Sequence, residues 1–280
     1  MILIDYNGIA VSNAVAMGLG VDEDTIRHMI LNSIRIHRVK HNAKCGEVVI
    51  CCDARNYWRR DDFPAYKHSR KKAMSASKLD WTELFRVIEM VLKELEENFP
   101  YKVIRIDRCE ADDIIGELCE YTQEFGQYEK VMIISGDKDF AQLQKYDNVA
   151  QYAPVQRKFI KEDNPKQFLD EHVLKGDTSD GVPNVLSADD CFVEGTRQTP
   201  LRKKLFDQLV ADPKALGEEV YRNIQRNRRL IDLSETPDSL KKNIINSFTS
   251  QDPSANKGKV LNYLIDKRCR LLTEIAGDFI

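Results

Sequence analysis

Asp5 closes the run Met1-Ile-Leu-Ile, and Asp53 closes Val48-Val-Ile-Cys-Cys52. Glu110, Asp112 and Asp113 follow Val103-Ile-Arg-Ile106, and Asp137 and Asp139 follow Val131-Met-Ile-Ile134. Asp177 and Asp180 stand in Gly176-Asp-Thr-Ser-Asp-Gly181. One carboxylate at a strand end is ordinary; four strand ends that all carry them imply a shared site. Nine carboxylates drawn together repel one another unless divalent cations sit among them. The pattern is that of a metal-dependent enzyme.

Each motif also has a plainer reading. Acids in the first turn of a helix at Glu110-Ala-Asp-Asp113 complement the helix dipole, but three exceed that need. In Ser135-Gly-Asp-Lys-Asp-Phe140, Gly136 permits a tight turn, Asp139 can cap the following helix, and Asp137 is read as a cation ligand. Asp5 and Asp53 end strands where a crevice is expected. On its own, the Asp177/Asp180 loop reads as structural. The stretch Tyr66-Lys-His-Ser-Arg70 is too polar for a core. It is either a solvated helical face or a place where Lys67 and Arg70 meet a phosphate and Tyr66 offers a stacking surface. His68 is read as a surface residue, and Trp58 and Trp81 as packing residues.

These side chains need a scaffold, and the first half of the chain alternates strand and helix. Strands are predicted at Met1–Asp5, Glu47–Asp53, Tyr101–Ile106, Glu129–Ser135 and Val149–Tyr152. Between them, helices are predicted over Gly8–Gly18, after a cap at Asp24, after a cap at Asp80, and over Glu110–Phe125 with Gly126 as its stop. A further helix is expected at Asp139–Tyr146. The Asp24-capped helix carries Ile26, Met29, Ile30 and Ile34 on one face, and the Asp80-capped helix carries Leu84, Val87, Ile88, Val91 and Leu95. Continuous apolar strands separated by helices describe an α/β fold: a mostly parallel sheet covered on both faces. Ligands bind beyond the carboxyl ends of such strands. After about residue 180 helical segments dominate, at Pro200–Val210, Pro213–Arg226, Ser239–Phe248 and Ala255–Ala276.

Composition sets the class. Charged residues at 31% and hydrophobic ones at 42% fit a soluble globular chain rather than a disordered one. No apolar run approaches the roughly 18–20 residues that span a bilayer, and no signal peptide is expected. Seven cysteines show neither CxxC nor zinc spacing and read as reduced core thiols of a cytoplasm, a host's if the chain is viral. The net charge of −3 hides its distribution. Setting the nine motif carboxylates aside leaves a basic remainder, clustered in three groups. One spans Arg55, Arg59, Arg60, Lys67, Arg70, Lys71 and Lys72. Another spans Arg202, Lys203, Lys204, Arg222, Arg226, Arg228 and Arg229, and the third spans Lys257, Lys259, Lys267, Arg268 and Arg270. An acidic centre flanked by basic surfaces suits a nuclease that holds metal ions and a polyanion.

The motifs, in order, resemble the 5′-nuclease superfamily of flap endonucleases and 5′→3′ exonucleases, and within it the bacteriophage ribonuclease H branch. The likeness is carried by Ile4-Asp5, Cys52-Asp53, Tyr57-Trp-Arg-Arg-Asp61, Tyr66-Lys-x-x-Arg70, Glu110-Ala-Asp-Asp113, Ser135-Gly-Asp-Lys-Asp-Phe140, Gly176-Asp-Thr-Ser-Asp180 and Val193-Glu-Gly195. It implies a core over residues 1–180 with a PIN-like sheet, a basic arch at about 55–80, and a helical DNA-binding region over 181–280. It implies two Mg²⁺ ions, with Mn²⁺ able to substitute. Asp5, Asp53, Glu110, Asp112 and Asp137 would surround the first, and Asp113, Asp139, Asp177 and Asp180 would lie nearer the second. Lys67, Arg70 and Asp137 would be catalytic. Arg59, Arg60, Tyr66, Lys67, Arg70, Lys71, Lys72, Arg202, Lys203 and Lys204 would contact nucleic acid.

The activity so implied is two-metal hydrolysis near 5′ ends of DNA and RNA–DNA duplexes, with ribonuclease H activity, removing lagging-strand primers and leaving 5′-phosphate and 3′-hydroxyl ends. Substrates would be 5′ flaps, nicks and gaps. The partners would be a single-stranded-DNA-binding protein and a sliding clamp, and the chain a monomer. The terminal Gly277-Asp-Phe-Ile280 reads as a clamp-docking tail or, more simply, a frayed helix end. One departure from the superfamily is that Asn184 and Ser187 stand where glycines of a duplex-gripping hairpin are expected. Grip is therefore assigned to the basic helices after residue 197 rather than to a monovalent-cation site. The alternatives are a non-catalytic DNA-binding module with a degenerate crevice, and phosphatase or phosphoreceiver chemistry, which has no use for Tyr66-Lys-x-x-Arg70.

Overall fold

The computed structural model describes residues 1–17, 22–124 and 128–280; the side chains of residues 16, 17 and 71–73 are outside the described set. The apolar runs form β1 (Ile2–Asp5), β2 (Val48–Cys51), β3 (Lys102–Ile104), β4 (Val131–Ile134) and β5 (Val149–Ala153). A sixth strand, β6 (Lys158–Ile160), is unforeseen because it is short and half-exposed. The sheet order is β3-β2-β1-β4-β5-β6, parallel throughout except that β6 runs antiparallel to β5. The sheet grows outward from β1 in both directions, so the β1–β4 boundary is a switch point at which the carboxyl-end crevice opens.

The helices are α1 (Tyr6–Met17), α2 (Glu23–Cys45), α3 (Arg59–Asp62), α4 (His68–Ala76), α5 (Trp81–Asn98) and α6 (Ala111–Tyr121). They continue as α7 (Pro165–Lys175), α8 (Lys203–Ala211), α9 (Glu218–Ile231), α10 (Asp238–Ser250), α11 (Val260–Asp266) and α12 (Arg270–Thr273). Side chains alternate across each strand. Ile2, Ile4, Ile50 and Ile134 therefore pack on one face with α1, α2, α5, α11 and Phe279. Leu3, Val49, Ile104 and Ile133 pack on the other with α6, α10 and Phe140. A third apolar cluster joins Phe63 and Tyr66 to α7, α8 and α9. Residues beyond 181 thus contribute to all three clusters.

Several element boundaries differ from expectation for local reasons. Asp22, not Asp24, caps α2: its extended backbone lets the carboxylate accept from Thr25 N at 2.8 Å, while Asp24 lies inside the helix and pairs with Arg27. Asp80 does cap α5, accepting from Glu83 N at 3.0 Å. The expected helix at Asp139–Tyr146 is a 3₁₀ helix over Lys138–Lys145 with Asp137 as its cap. The expected end points Gly18 of α1, and Phe125 and Gly126 of α6, lie outside the described residues. The continuous helix predicted over Ala255–Ala276 is broken, turning at Arg268 in the left-handed region (φ 54°).

The C-terminal tail is neither frayed nor free. Phe279 is fully buried against Phe99, Arg35 pairs with Asp278 at 2.6 Å, and Arg38 donates to the Asp278 carbonyl at 2.7 Å. All seven cysteines are buried and free. Among the described residues no helix is long and apolar enough to cross a membrane.

Candidate metal centre and nucleic-acid interface

β1 delivers Asp5 to the crevice and the loop after it holds the carboxylate in place. Asp5 Oδ1 accepts from Gly8 N at 2.9 Å and Oδ2 from Ser135 Oγ at 2.8 Å. A Cβ on Gly8 would collide with that carboxylate and push it aside, so glycine here lets Asp5 keep its place. Asp53, just beyond β2, accepts from Ala111 N at the start of α6 (2.8 Å). Asp137 follows β4; its loop is anchored by Gln151 Nε2, which donates to the carbonyls of Ser135 and Asp137 at 3.1 and 2.6 Å. Gly8, Ser135 and Gln151 escape a reading by charge because they position acids without being acidic.

The acids feel one another. Burial, then Asp53, raises the Asp5 carboxyl to about 6, against the hydrogen bonds from Gly8 and Ser135. Burial, then Asp137, pushes Asp112 well above the carboxylate range, with Glu110 and Asp5 adding to the effect. Burial also raises Asp53. Asp5, Asp53, Glu110, Asp112 and Asp137 therefore form one electrostatic group. Asp139, Asp177 and Asp180 form a second, joined to the first through Asp137; burial, then Asp137, lifts Asp139 to about 7.

Asp113 does not join either group. It is fully buried beneath the crevice, where Trp58 Nε1 donates at 3.2 Å, Thr236 Oγ1 at 2.8 Å, and Arg59 forms an ion pair at 2.9 Å. Burial opposes its charge, but Arg59 and these hydrogen bonds hold its pKa below the usual range. The expectation of Asp113 as a metal ligand is corrected: with 3.6 residues per turn, neighbours in a helix point about 100° apart, so Asp112 faces the acids and Asp113 the interior. Asp113 and Glu110 instead form a reciprocal capping box at the start of α6.

The arch base is more deeply seated than its composition suggests. Tyr66 and Lys67 are buried. The Tyr66 hydroxyl donates to Glu110 at 3.0 Å or Asp180 at 2.9 Å, so Tyr66 is not the exposed stacking surface expected. Lys67 has left-handed backbone (φ 56°) and donates its N–H to the Asp180 carbonyl at 2.7 Å. Its ammonium is ion-paired to Glu110 and lies 3.4 Å from Asp180. Burial disfavours that charge, but Glu110 and Asp180 outweigh it and raise the pKa. Arg70 is half-exposed and reaches Asp180 at 2.7 Å. Lys67 and Arg70 therefore meet the acidic groups directly.

Other nucleic-acid candidates separate. Arg59 is buried against Glu110 and Asp113, which removes it from any surface contact. Arg60 lies over the Tyr57 ring at 5.0 Å. The side chains of Lys71 and Lys72 are outside the described residues. Arg202 and Lys204 are exposed without an ion pair among the described residues, whereas Lys203 pairs with Asp207 at 3.0 Å. The α9 arginines are largely tied down: Arg222 and Arg226 to Asp189, Arg228 to Asp170, and Arg229 to Asp62. Asn184 and Ser187 are buried, and Asn184 donates to the Thr199 carbonyl at 2.8 Å. Side-chain amides thus brace the segment where glycines were expected.

A further residue joins the second group. His172 on α7 lies between Asp139 and Asp177, and these three could hold a metal ion. Sequence reading passed over α7 altogether. Its signal was Asn164-Pro165 at the start, where the Asn164 side chain accepts from Gln167 N, and Gly176 at the end.

The raised carboxyls have a consequence for stability. Asp139 and Asp112 hold protons in the fold that the unfolded chain has already lost, so deprotonation as pH rises destabilises the native state. Without divalent cation, the melting temperature is expected to fall by about 3–6 °C between pH 6.5 and 8.5. Below that window the imidazoles of His37 and His41, which burial holds below their usual range, act in the opposite sense. Adding Mg²⁺ should raise the melting temperature more at pH 8.5 than at 6.5. A flat or rising metal-free profile in differential scanning calorimetry would count against the crowding.

The family model described as the 5′-3′ exonuclease N-terminal resolvase-like domain matches residues 11–173, and that of the T4 RNase H C-terminal domain matches residues 167–279. The chain belongs to the 5′-3′ exonuclease family. Ribonuclease H of Enterobacteria phage T4 is 34% identical over 293 residues, spanning 99% of this chain and 95% of that protein. A 5′-3′ exonuclease of Buchnera aphidicola is 33% identical over 145 residues, 49% of this chain and 47% of that one. Among solved structures, T5 5′-exonuclease with bound zinc superposes with a TM-score of 0.65 at 14% identity, covering 89% of this chain and 98% of that chain. The bacteriophage T5 flap endonuclease in complex with DNA and metal ions gives 0.63 at 14% identity, covering 94% and 98%. At such identities the likeness establishes the fold.

Proposed function

We propose that this chain is a two-metal 5′→3′ exonuclease and flap endonuclease with ribonuclease H activity, cutting phosphodiesters near 5′ ends of DNA and RNA–DNA duplexes to remove RNA primers in lagging-strand replication. The observation that carries it is the meeting, at the carboxyl end of the sheet, of two groups of mutually repelling carboxylates with Lys67 and Arg70 directly upon them. Family membership and the relatives' activities support it.

The donors of the first group are all hard oxygens, which suits Mg²⁺ with Mn²⁺ as a substitute. Asp5, Asp53, Glu110, Asp112 and Asp137 would hold the first ion, and the Asp139, Asp177 and Asp180 group the second. Bound there, the ions would lower the pKa of an attacking water and stabilise charge on attacking and leaving oxygens. Gly8 and Ser135 keep the Asp5 carboxylate oriented, and the Ala111 amide does so for Asp53. Lys67 and Arg70 neutralise those acids in the free protein; with cations in place they turn to the scissile phosphate. Residues at about 55–80 would form the arch that passes a 5′ single strand. Residues 181–280 would grip the duplex, with Arg202 and Lys204 among the contacts. A sliding clamp or single-stranded-DNA-binding protein would need a surface other than the tail, since Phe279 is buried.

The test is cleavage of end-labelled flap, nick, gap and RNA–DNA hybrid substrates. Short products with 5′-phosphate and 3′-hydroxyl ends are expected in Mg²⁺ and none in EDTA. Binding without cleavage in Mg²⁺ would favour the non-catalytic module instead.

A further inference from the structure

His172 is buried on α7, one turn before Gly176, and its ring spans two acids. Nε2 lies 3.2 Å from Asp177 Oδ2, and Nδ1 lies 3.3 Å from Asp139 Oδ1. Asp177 is occupied at both oxygens. Oδ2 also meets the Lys138 ammonium at 3.0 Å, and Oδ1 accepts from Ser179 N at 2.8 Å and Ser179 Oγ at 2.5 Å. A carboxylate so placed is an acceptor for Nε2–H. A neutral imidazole that donates there carries its lone pair on Nδ1, toward Asp139.

Nδ1 of His172 and Oδ1 of Asp139 are both buried, and neither has a hydrogen-bond partner. In that tautomer two acceptor atoms, each shielded from water, face each other across 3.3 Å. Buried polar atoms are otherwise almost always satisfied, and this pair needs a positive charge between them: a proton in the metal-free chain, or a cation in its place. The spacing suits a metal ion: donors roughly 2.1 Å from one ion would subtend an angle of about 100° at this separation.

We propose that His172 Nδ1 is a ligand of the second cation together with Asp139, and that Asp177 stands one step back as the carboxylate that orients the imidazole. Such carboxylate–histidine–metal arrangements fix the ring and raise its basicity. The inference rests on the two-cation reading above and sharpens it, moving Asp177 from the second ion to the imidazole behind it. The first site is all oxygen, whereas the second contains a nitrogen donor and so favours Mn²⁺ over Mg²⁺ relative to the first.

The experiment uses the full chain and Mn²⁺ alone, counted by EPR titration, with electron spin echo envelope modulation to detect nitrogen on the metal. Two equivalents are expected to bind, and the second should bring the ¹⁴N modulation of an imidazole. His172→Gln should remove that modulation and weaken the second Mn²⁺ by about tenfold or more. Two bound Mn²⁺ ions without ¹⁴N modulation in the wild-type chain would overturn the ligand assignment and leave the two-cation nuclease standing. No saturable Mn²⁺ binding would overturn both. The decisive spectrum is that of the wild-type protein, so a poorly folding variant does not blunt it.

Discussion

Asp137→Asn is expected to abolish cleavage of a 5′ flap in Mg²⁺, lowering the single-turnover rate by about a thousandfold or more, while the metal-free protein becomes more stable. Asp137 is the acid through which the two groups communicate: its charge helps raise the pKa of Asp5, Asp112 and Asp139 alike. Its structural duty is light. The side chain is exposed and caps the 3₁₀ helix by accepting from Asp139 N at 3.0 Å. An asparagine oxygen accepts that bond equally well, and the backbone anchor through Gln151 is untouched. The substitution therefore removes charge and little else. Repulsion within the crevice falls, the neighbouring carboxyls return toward their ordinary range, and the melting temperature of the metal-free chain should rise at pH 8. Flap affinity, dominated by phosphate contacts elsewhere, should stay within about threefold. Activity and stability moving in opposite directions separates this outcome from misfolding. A variant cutting at the wild-type rate, or one that loses activity and stability together, would sink the assignment.

Much of this architecture was legible in the chain because parallel strands buried on both faces need continuous apolar runs. The acids that end those runs are brought together by topology, so Asp5, Asp53, Asp112 and Asp137 could be grouped without coordinates. What escaped is instructive. Glu110, Asp112 and Asp113 look equivalent as a cluster, yet helical rotation sends Asp113 inward to Trp58 and Arg59. Tyr66 and Lys67 look too polar for a core. A polar side chain is buried when partners await it, and theirs, Glu110 and Asp180, lie far along the sequence. The same applies to the α9 arginines, whose acids come from Asp62, Asp170 and Asp189. His172 was hidden for a related reason: nothing in its local sequence announces Asp139. Strand pattern is local information, whereas charge pairing is settled only by the fold.

Arg59→Met is expected to destabilise the protein by about 3–5 kcal/mol, because removing one partner strands a buried charge. The melting temperature should drop by roughly 10 °C. The Arg59 guanidinium is fully enclosed: Nε donates to the Leu230 carbonyl at 2.8 Å, and the head pairs with Glu110 at 3.0 Å and Asp113 at 2.9 Å. Methionine fills similar space but offers no donor. Glu110 would keep Lys67 and Tyr66, whereas Asp113 would keep only neutral hydrogen-bond donors, so the greater share of the cost falls on Asp113. Adding Asp113→Asn should then recover part of the loss, with a coupling of about 1–3 kcal/mol in the double-mutant cycle. The reading of Arg59 as a surface contact to nucleic acid makes the contrary forecast: an unchanged melting temperature, weaker flap binding and a salt dependence shallower by about one phosphate. Denaturation and binding measured on the same variant decide between them. Arg59 links the carbonyl of Leu230 on α9 to the two acids at the start of α6, so its loss should also loosen the placement of Glu110 and reduce Mg²⁺-dependent cleavage even where the variant remains folded.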